Sequence, residues 1–207
     1  MKNVTIKTSV AILAFLVISQ FSFAQLNFGV RAGVNIANMN FDLDGVSLEP
    51  SSIIGINVGA LLNIGVTEDF SVQPEVNFIQ KGSKIDETDL TPEIKTTFNF
   101  IEIPVLAKYA FGGESIGGFV QAGPSFGFAL NGTNKAGDES EDIDFDEDGV
   151  KRTDFGLQFG AGVSFGNFFV DARYLLGLAN LDDSGDDSIT TKTNGINIGV
   201  GYMFGGK

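Results

Sequence analysis

Leu26-Asn-Phe-Gly-Val-Arg-Ala-Gly-Val-Asn-Ile36 is the stretch that decides the fold. Leu26, Phe28, Val30, Ala32, Val34 and Ile36 occupy every second position, with Asn27, Gly29, Arg31, Gly33 and Asn35 between them. Side chains of a strand alternate between two faces, whereas those of a helix return every 3.6 residues. This pattern therefore predicts a strand with one apolar face. The same alternation returns in seven further runs, at residues 54–64, 70–78, 101–109, 120–128, 155–165, 168–176 and 196–204.

The connections between runs alternate in length. Long polar loops are expected at 37–52, 83–97, 131–153 and 179–194, and tight turns at 66–69, 112–117 and 166–167. An even number of strands with alternating short turns and long loops is the pattern of barrels that cross a bacterial outer membrane. The expected fold is all-β: an eight-stranded antiparallel up-and-down transmembrane β-barrel, located in the cell outer membrane.

A lipocalin-like barrel, a soluble periplasmic binder with its apolar face turned inward, is the rival architecture. The polar face argues against it. Gly29, Gly33, Gly55, Gly59, Gly156, Gly160, Gly162, Gly199 and Gly201 crowd that face. Glycine weakens a strand without benefit on a wet surface, but inside a narrow barrel it makes room for larger neighbours. Those neighbours balance in charge: Arg31, Lys81, Lys108 and Arg173 against Glu75, Glu102, Asp154 and Asp171. The expectation is a lumen charge network of Arg31, Glu75, Lys81, Glu102, Lys108, Asp171 and Arg173, paired among themselves, since an unpaired buried charge is costly. Phe28, Phe70, Tyr109, Phe111, Phe165, Phe168, Tyr202 and Phe204 sit near the short-turn ends, as an interfacial aromatic girdle would.

Residues 1–24 read as a signal peptide, leaving 25–207 as the barrel domain. Lys2 and Lys7 precede the apolar run Val10–Ile18, and Ser22-Phe23-Ala24 offers small residues for cleavage. The nine-residue run is too short to span a bilayer as a helix. The remainder carries 11 basic and 26 acidic side chains, a net charge of −15, which repels phosphates and argues against nucleic acid.

Composition narrows the chemistry. With no His and no Cys, a His-dependent catalytic triad, a thiolate nucleophile and a disulfide are all unavailable. Glu75 and Glu102 could form a carboxylate pair, but partnership with lumen cations is the simpler role. No enzymatic activity and no cofactor are expected. Asp144-Phe-Asp-Glu-Asp-Gly149 begins like a calcium loop, yet the position of its closing Glu is Phe155. Asp144, Asp146 and Asp148 are thus a weak metal candidate, and a mobile acidic loop without metal is the preferred reading. Asp182-Asp-Ser-Gly-Asp-Asp187 carries the same ambiguity.

Phe28-Gly-Val-Arg-Ala-Gly33, Gln73-Pro-Glu75 with Gln80-Lys-Gly82, and Ile101-Glu-Ile-Pro104 with Lys108-Tyr109 follow one another in order. Ala122-Gly-Pro124, Gly160-Ala-Gly162, Asp171-Ala-Arg-Tyr174, Gly177-Leu178 and Gly199-Val-Gly-Tyr-Met-Phe204 complete the series. Together these motifs resemble the PorT-like outer-membrane β-barrel family of the Bacteroidota. The resemblance implies an outer-membrane barrel. It does not carry over the founding member's tie to protein secretion, because the shared motifs build the wall. The function expected is structural or surface-interacting, with the lumen plugged by side chains and acidic loops outside; a small-solute channel is the alternative. Expected partners are outer-membrane lipid, the barrel-insertion machinery and an unidentified extracellular or periplasmic protein.

Overall fold

The computed structural model describes residues 26–205, except 44–45, 49, 89–91, 114, 146 and 186–188; the expected signal peptide lies outside the described residues. Ten strands form in chain order: β1 (Leu26–Leu43), β2 (Val46–Leu48), β3 (Ser51–Gly65), β4 (Phe70–Ile85), β5 (Ile94–Gly112), β6 (Ile116–Ala136), β7 (Glu139–Asp142), β8 (Thr153–Phe165), β9 (Phe168–Gly177) and β10 (Ile189–Phe204). Eight of them pair antiparallel in the order β1-β3-β4-β5-β6-β8-β9-β10, and β10 pairs back onto β1. That last ladder runs unbroken from Phe28↔Phe204 to Leu43↔Ile189. It leaves no free edge in the wall. β2 and β7 are short additions, folded back on β1 and β6.

Closure follows from the alternation. The apolar set faces outward in every strand: Val30, Ile56, Ile103, Phe126, Phe159, Val170 and Ile198 are all exposed, while their neighbours point into the lumen. A barrel whose charged face is inside and whose apolar face is outside is built for a lipid surround. The inward-apolar architecture of a soluble binder is therefore overturned. At the short-turn end, Phe28, Tyr109, Phe111, Phe165, Phe168 and Phe204 are exposed outward. Phe28 stacks on Phe204 at 5.7 Å, and Tyr202 meets both Phe168 and Phe204 edge-on. Gly166 opens the two-residue turn before β9 at φ 58°, a conformation that costs glycine nothing.

Three of the four long loops are much shorter than the sequence suggests. β1 and β10 continue together through 37–43 and 189–194, and β4 and β5 leave only residues 86–93 between them. The expected mobile loop at 131–153 is in large part a hairpin: β6 runs to Ala136 and pairs with β7 from Thr133↔Asp142 to Ala136↔Glu139. A strand needs about 9–11 residues to cross a bilayer, whereas β6 has 21 and β5 has 19. The surplus stands above the apolar band. There the outward face turns polar while the inward face becomes apolar and buried, as at Ala37, Met39 and Phe98, so the apolar set changes parity and the outward pattern stops although the strands go on. The ladder shifts register between Ser52 and Asn57 and again between Asn99 and Phe100, near where the wall leaves the band.

Candidate functional site

The lumen is the site that the alternation builds, and it is filled in three layers. The floor, at the short-turn end, is apolar: Leu61, Phe119 and Phe169 are buried together, with Met203 against them. The Phe119 and Phe169 rings meet edge-on at 6.2 Å. Each ring lies where a side chain on an adjacent strand would otherwise stand. A Cβ on Gly162 would strike Phe119, and one on Gly201 would strike Phe169.

The middle layer holds the charges in two groups. In the lower, Arg173 grips Glu75 with both terminal nitrogens at 2.8 and 2.9 Å and donates Nε to Asp171 at 2.5 Å. Arg31 donates to Asp171 at 2.9 Å and to Asn197 Oδ1 at 2.7 Å. Neutral donors complete the carboxylates: Gln73 and Asn77 on Glu75, and Gln121 on Asp171. In the upper group Lys81 bridges Glu102 at 2.6 Å and Asp154 at 2.9 Å. Gln158 and Thr193 supply the remaining hydrogen bonds. These ions are buried, and such pairs hold because every carboxylate meets at least two donors.

Arg31, Glu75, Lys81, Glu102, Asp171 and Arg173 are thus brought together in the lumen. Lys108 also points inward, but it forms no ion pair among the described residues, which corrects the expectation of full pairing. It sits near the short-turn end of β5, level with the aromatic floor, and the arginines have already taken Glu75 and Asp171. Its ammonium lies 4.0 Å from the Phe119 ring centroid and 5.7 Å from that of Phe169, with Gln73 Oε1 at 3.4 Å. The aromatic faces stand in for a carboxylate. Glu75 and Glu102 belong to different groups, each held by its own cation, so they form no carboxylate pair.

The lid, at the long-loop end, is apolar again. Met39, Ile79, Phe98, Phe100, Ala129 and Leu175 from the wall pack with Ile143, Phe145 and Leu181 from the connections. Phe145 meets Phe98 at 6.0 Å, and the Arg152 guanidinium lies over the Phe145 ring at 4.1 Å. The alternation had assigned the lumen face to polar residues and so missed Leu61, Ile79, Phe98, Phe100, Phe119, Phe169 and Leu175. Their parity in the strand would have revealed them: each lies two, four or six positions from an inward charged residue on its own strand or continues that face.

Among the described residues no cluster of acids has the arrangement of a metal site. Asp144 and Asp148 turn inward on their own backbone, with Asp144 N donating to Asp148 Oδ2 at 3.0 Å and Glu147 N to Asp144 Oδ1 at 3.4 Å. Asp146, Asp186 and Asp187 lie outside the described residues.

Residues 19–183 match the family described as outer membrane protein beta-barrel domain. Solved structures with similar backbones include Ail, the attachment invasion locus protein of Yersinia pestis, at 20% identity and a TM-score of 0.46, covering 86% of this chain and 98% of that one. Neisserial surface protein A gives 16% identity and a TM-score of 0.49, covering 86% and 97%. OprG from Pseudomonas aeruginosa gives 14% identity and a TM-score of 0.43, covering 88% and 98%. No curated protein matches this chain.

Proposed function

The chain belongs to the outer membrane protein beta-barrel domain family and resides in the outer membrane; we propose that within that family it is a non-conducting, non-enzymatic barrel that presents an acidic rim to surface partners. The filled lumen carries this reading. A charged layer held by five ion pairs lies between two apolar layers. Ions crossing it would have to break buried pairs and pass two dry constrictions. The resemblance to the PorT-like branch fits the same reading, as a wall-building likeness without a role in secretion attached.

The chemistry used in the interior is consumed by structure. Each lumen carboxylate is held by at least two donors, and Asp154 Oδ1, which accepts no hydrogen bond among the described residues, is buried away from solvent, so none of them is assigned the role of general base or nucleophile. Outside, β5, β6 and β7 raise Glu139, Glu141 and Asp142 well above the apolar band, all of them exposed. A rigid, charged projection suits contact with an extracellular protein, while lipid and the insertion machinery are the partners of the wall. Conductance in planar bilayers tests the proposal. Purified barrel should give no stable steps beyond the bare membrane, and proteoliposomes should take up small sugars no faster than empty ones. Steady channel events, or sugar uptake that grows with barrel density, would replace it with the small-solute channel.

A further inference from the structure

A cavity of about 370 Å³ opens above the lid, walled by Met39, Phe41, Phe98, Ile143, Val150 and Leu181. An apolar hollow at the wet end of a barrel is unexpected on solvation grounds, and this one is preformed. Its roof is cross-bonded: Lys151 N donates to Leu181 O at 2.8 Å, Asp183 N to Gly149 O at 2.8 Å, and Val150 bridges Asp182. Leu181 N is tied in turn to Thr191 O on β10 at 2.8 Å. A preformed, mostly apolar hollow of a few hundred Å³ with a few polar groups is the usual form of a small-molecule site.

The polar groups at its lip set the ligand's charge. Asp148 and Asp182 line the opening, and no lysine or arginine does. Asp148 accepts from Asp144 N, and Asp182 from the Ser184 amide and hydroxyl. Neither carboxylate has a cation partner among the described residues. Lys151, the nearest base in sequence, instead pairs with Asp183 at 3.6 Å and donates to the Asp182 carbonyl.

We propose that this mouth is a binding site for a small cationic amphiphile, an alkyl or aryl amine whose body fills the apolar hollow and whose ammonium sits at Asp148 and Asp182. The lumen beneath is closed, so the molecule is captured rather than passed through.

The test is calorimetric titration of the full barrel in zwitterionic lipid nanodiscs with octylamine and with octanoate, subtracting empty nanodiscs. Octylamine should bind one saturable site, and octanoate should show none at ten times the concentration. Val150→Trp, which fills the hollow, should weaken octylamine at least tenfold. Asp148→Asn, at an exposed position, with Asp182→Asn, at a half-buried one, should weaken it at least fivefold, with unchanged heat-dependent gel mobility showing that the double variant stays folded. Non-saturating uptake equal to that of empty nanodiscs, equal binding of both charges, or octylamine binding untouched by the lip substitutions would each overturn the proposal.

Discussion

Arg173 is the most connected cation of the lumen among the described residues, holding Glu75 through two bonds and Asp171 through a third. Arg173→Met should leave two buried carboxylates short of a partner and cost roughly 3–5 kcal/mol, the usual loss when one side of a buried pair is removed. Adding Glu75→Gln should recover part of that loss, because the second change removes the stranded charge. Urea titration of the barrel in lipid vesicles measures both, and additive losses would show that the two side chains do not act as a pair. Gly199 is the matching test on the wall. A Cβ there would lie 2.5 Å from Arg31 Nη2 and 3.0 Å from Asp171 Oδ1, so Gly199→Ala should cost roughly 1–3 kcal/mol by overpacking in the same titration. Both residues were legible in the sequence, since charge and glycine on a polar face have few other uses. Lys108 was legible as an inward residue, but its partners were not read: they are two phenylalanine faces, whose inward placement shows only in their parity with Gln121 and Asp171 on the same strands.

At the scale of strands, the prolines expose the weak part of the wall. The β3–β4 ladder passes from Leu61↔Glu75 to Ile64↔Val72, skipping the pair at Pro74. The β4–β5 ladder passes from Pro74↔Val105 to Asn77↔Glu102, skipping Pro104, and the β5–β6 ladder passes from Pro104↔Ser125 to Ala107↔Ala122, skipping Pro124. Proline has no N–H to donate, and a closed ring has no edge on which to place it. The β9–β10 ladder, by contrast, runs unbroken from Asn194↔Leu176 to Tyr202↔Phe168. Amides of Leu61–Ile64 and Ile103–Leu106 should therefore exchange with deuterium before those of Val170–Tyr174; the reverse order would show that the gaps do not weaken the wall. The hairpin of β6 and β7 offers a second check. Ile143 and Phe145 anchor it in the lid, so Ile143→Ser with Phe145→Ser should make residues 137–152 sensitive to protease while the barrel stays folded. These anchors were hidden in the sequence by eight acidic residues at 138–148, a density that ordinarily predicts disorder. Two apolar side chains suffice here because the barrel mouth already supplies the surface they bury against.

For the whole molecule, closure and facing were readable because a lipid-facing wall must alternate and a narrow lumen must be filled. The height of the wall was not readable, because above the bilayer the apolar set moves from the outward to the inward face, as at Ala37 and Met39, and the outward apolar run that marks a lipid-facing strand stops. What remains is orientation, and the antiparallel ring turns it into one question. Every long connection leaves from one end of the barrel, while the turns at 66–69, 113–115 and 166–167, together with Leu26 and Phe204, share the other. In outer-membrane barrels the short turns face the periplasm. The chain contains no cysteine, so single-cysteine variants give a clean background. Asp138 and Glu68 are both exposed, one at the tip of the long hairpin and the other in a tight turn. On intact cells a membrane-impermeant maleimide should label Asp138→Cys and leave Glu68→Cys untouched until the outer membrane is opened. The opposite pattern would invert the barrel and place the acidic rim in the periplasm. Equal labelling of both sites before permeabilisation would mean the chain is not threaded through the membrane as a barrel.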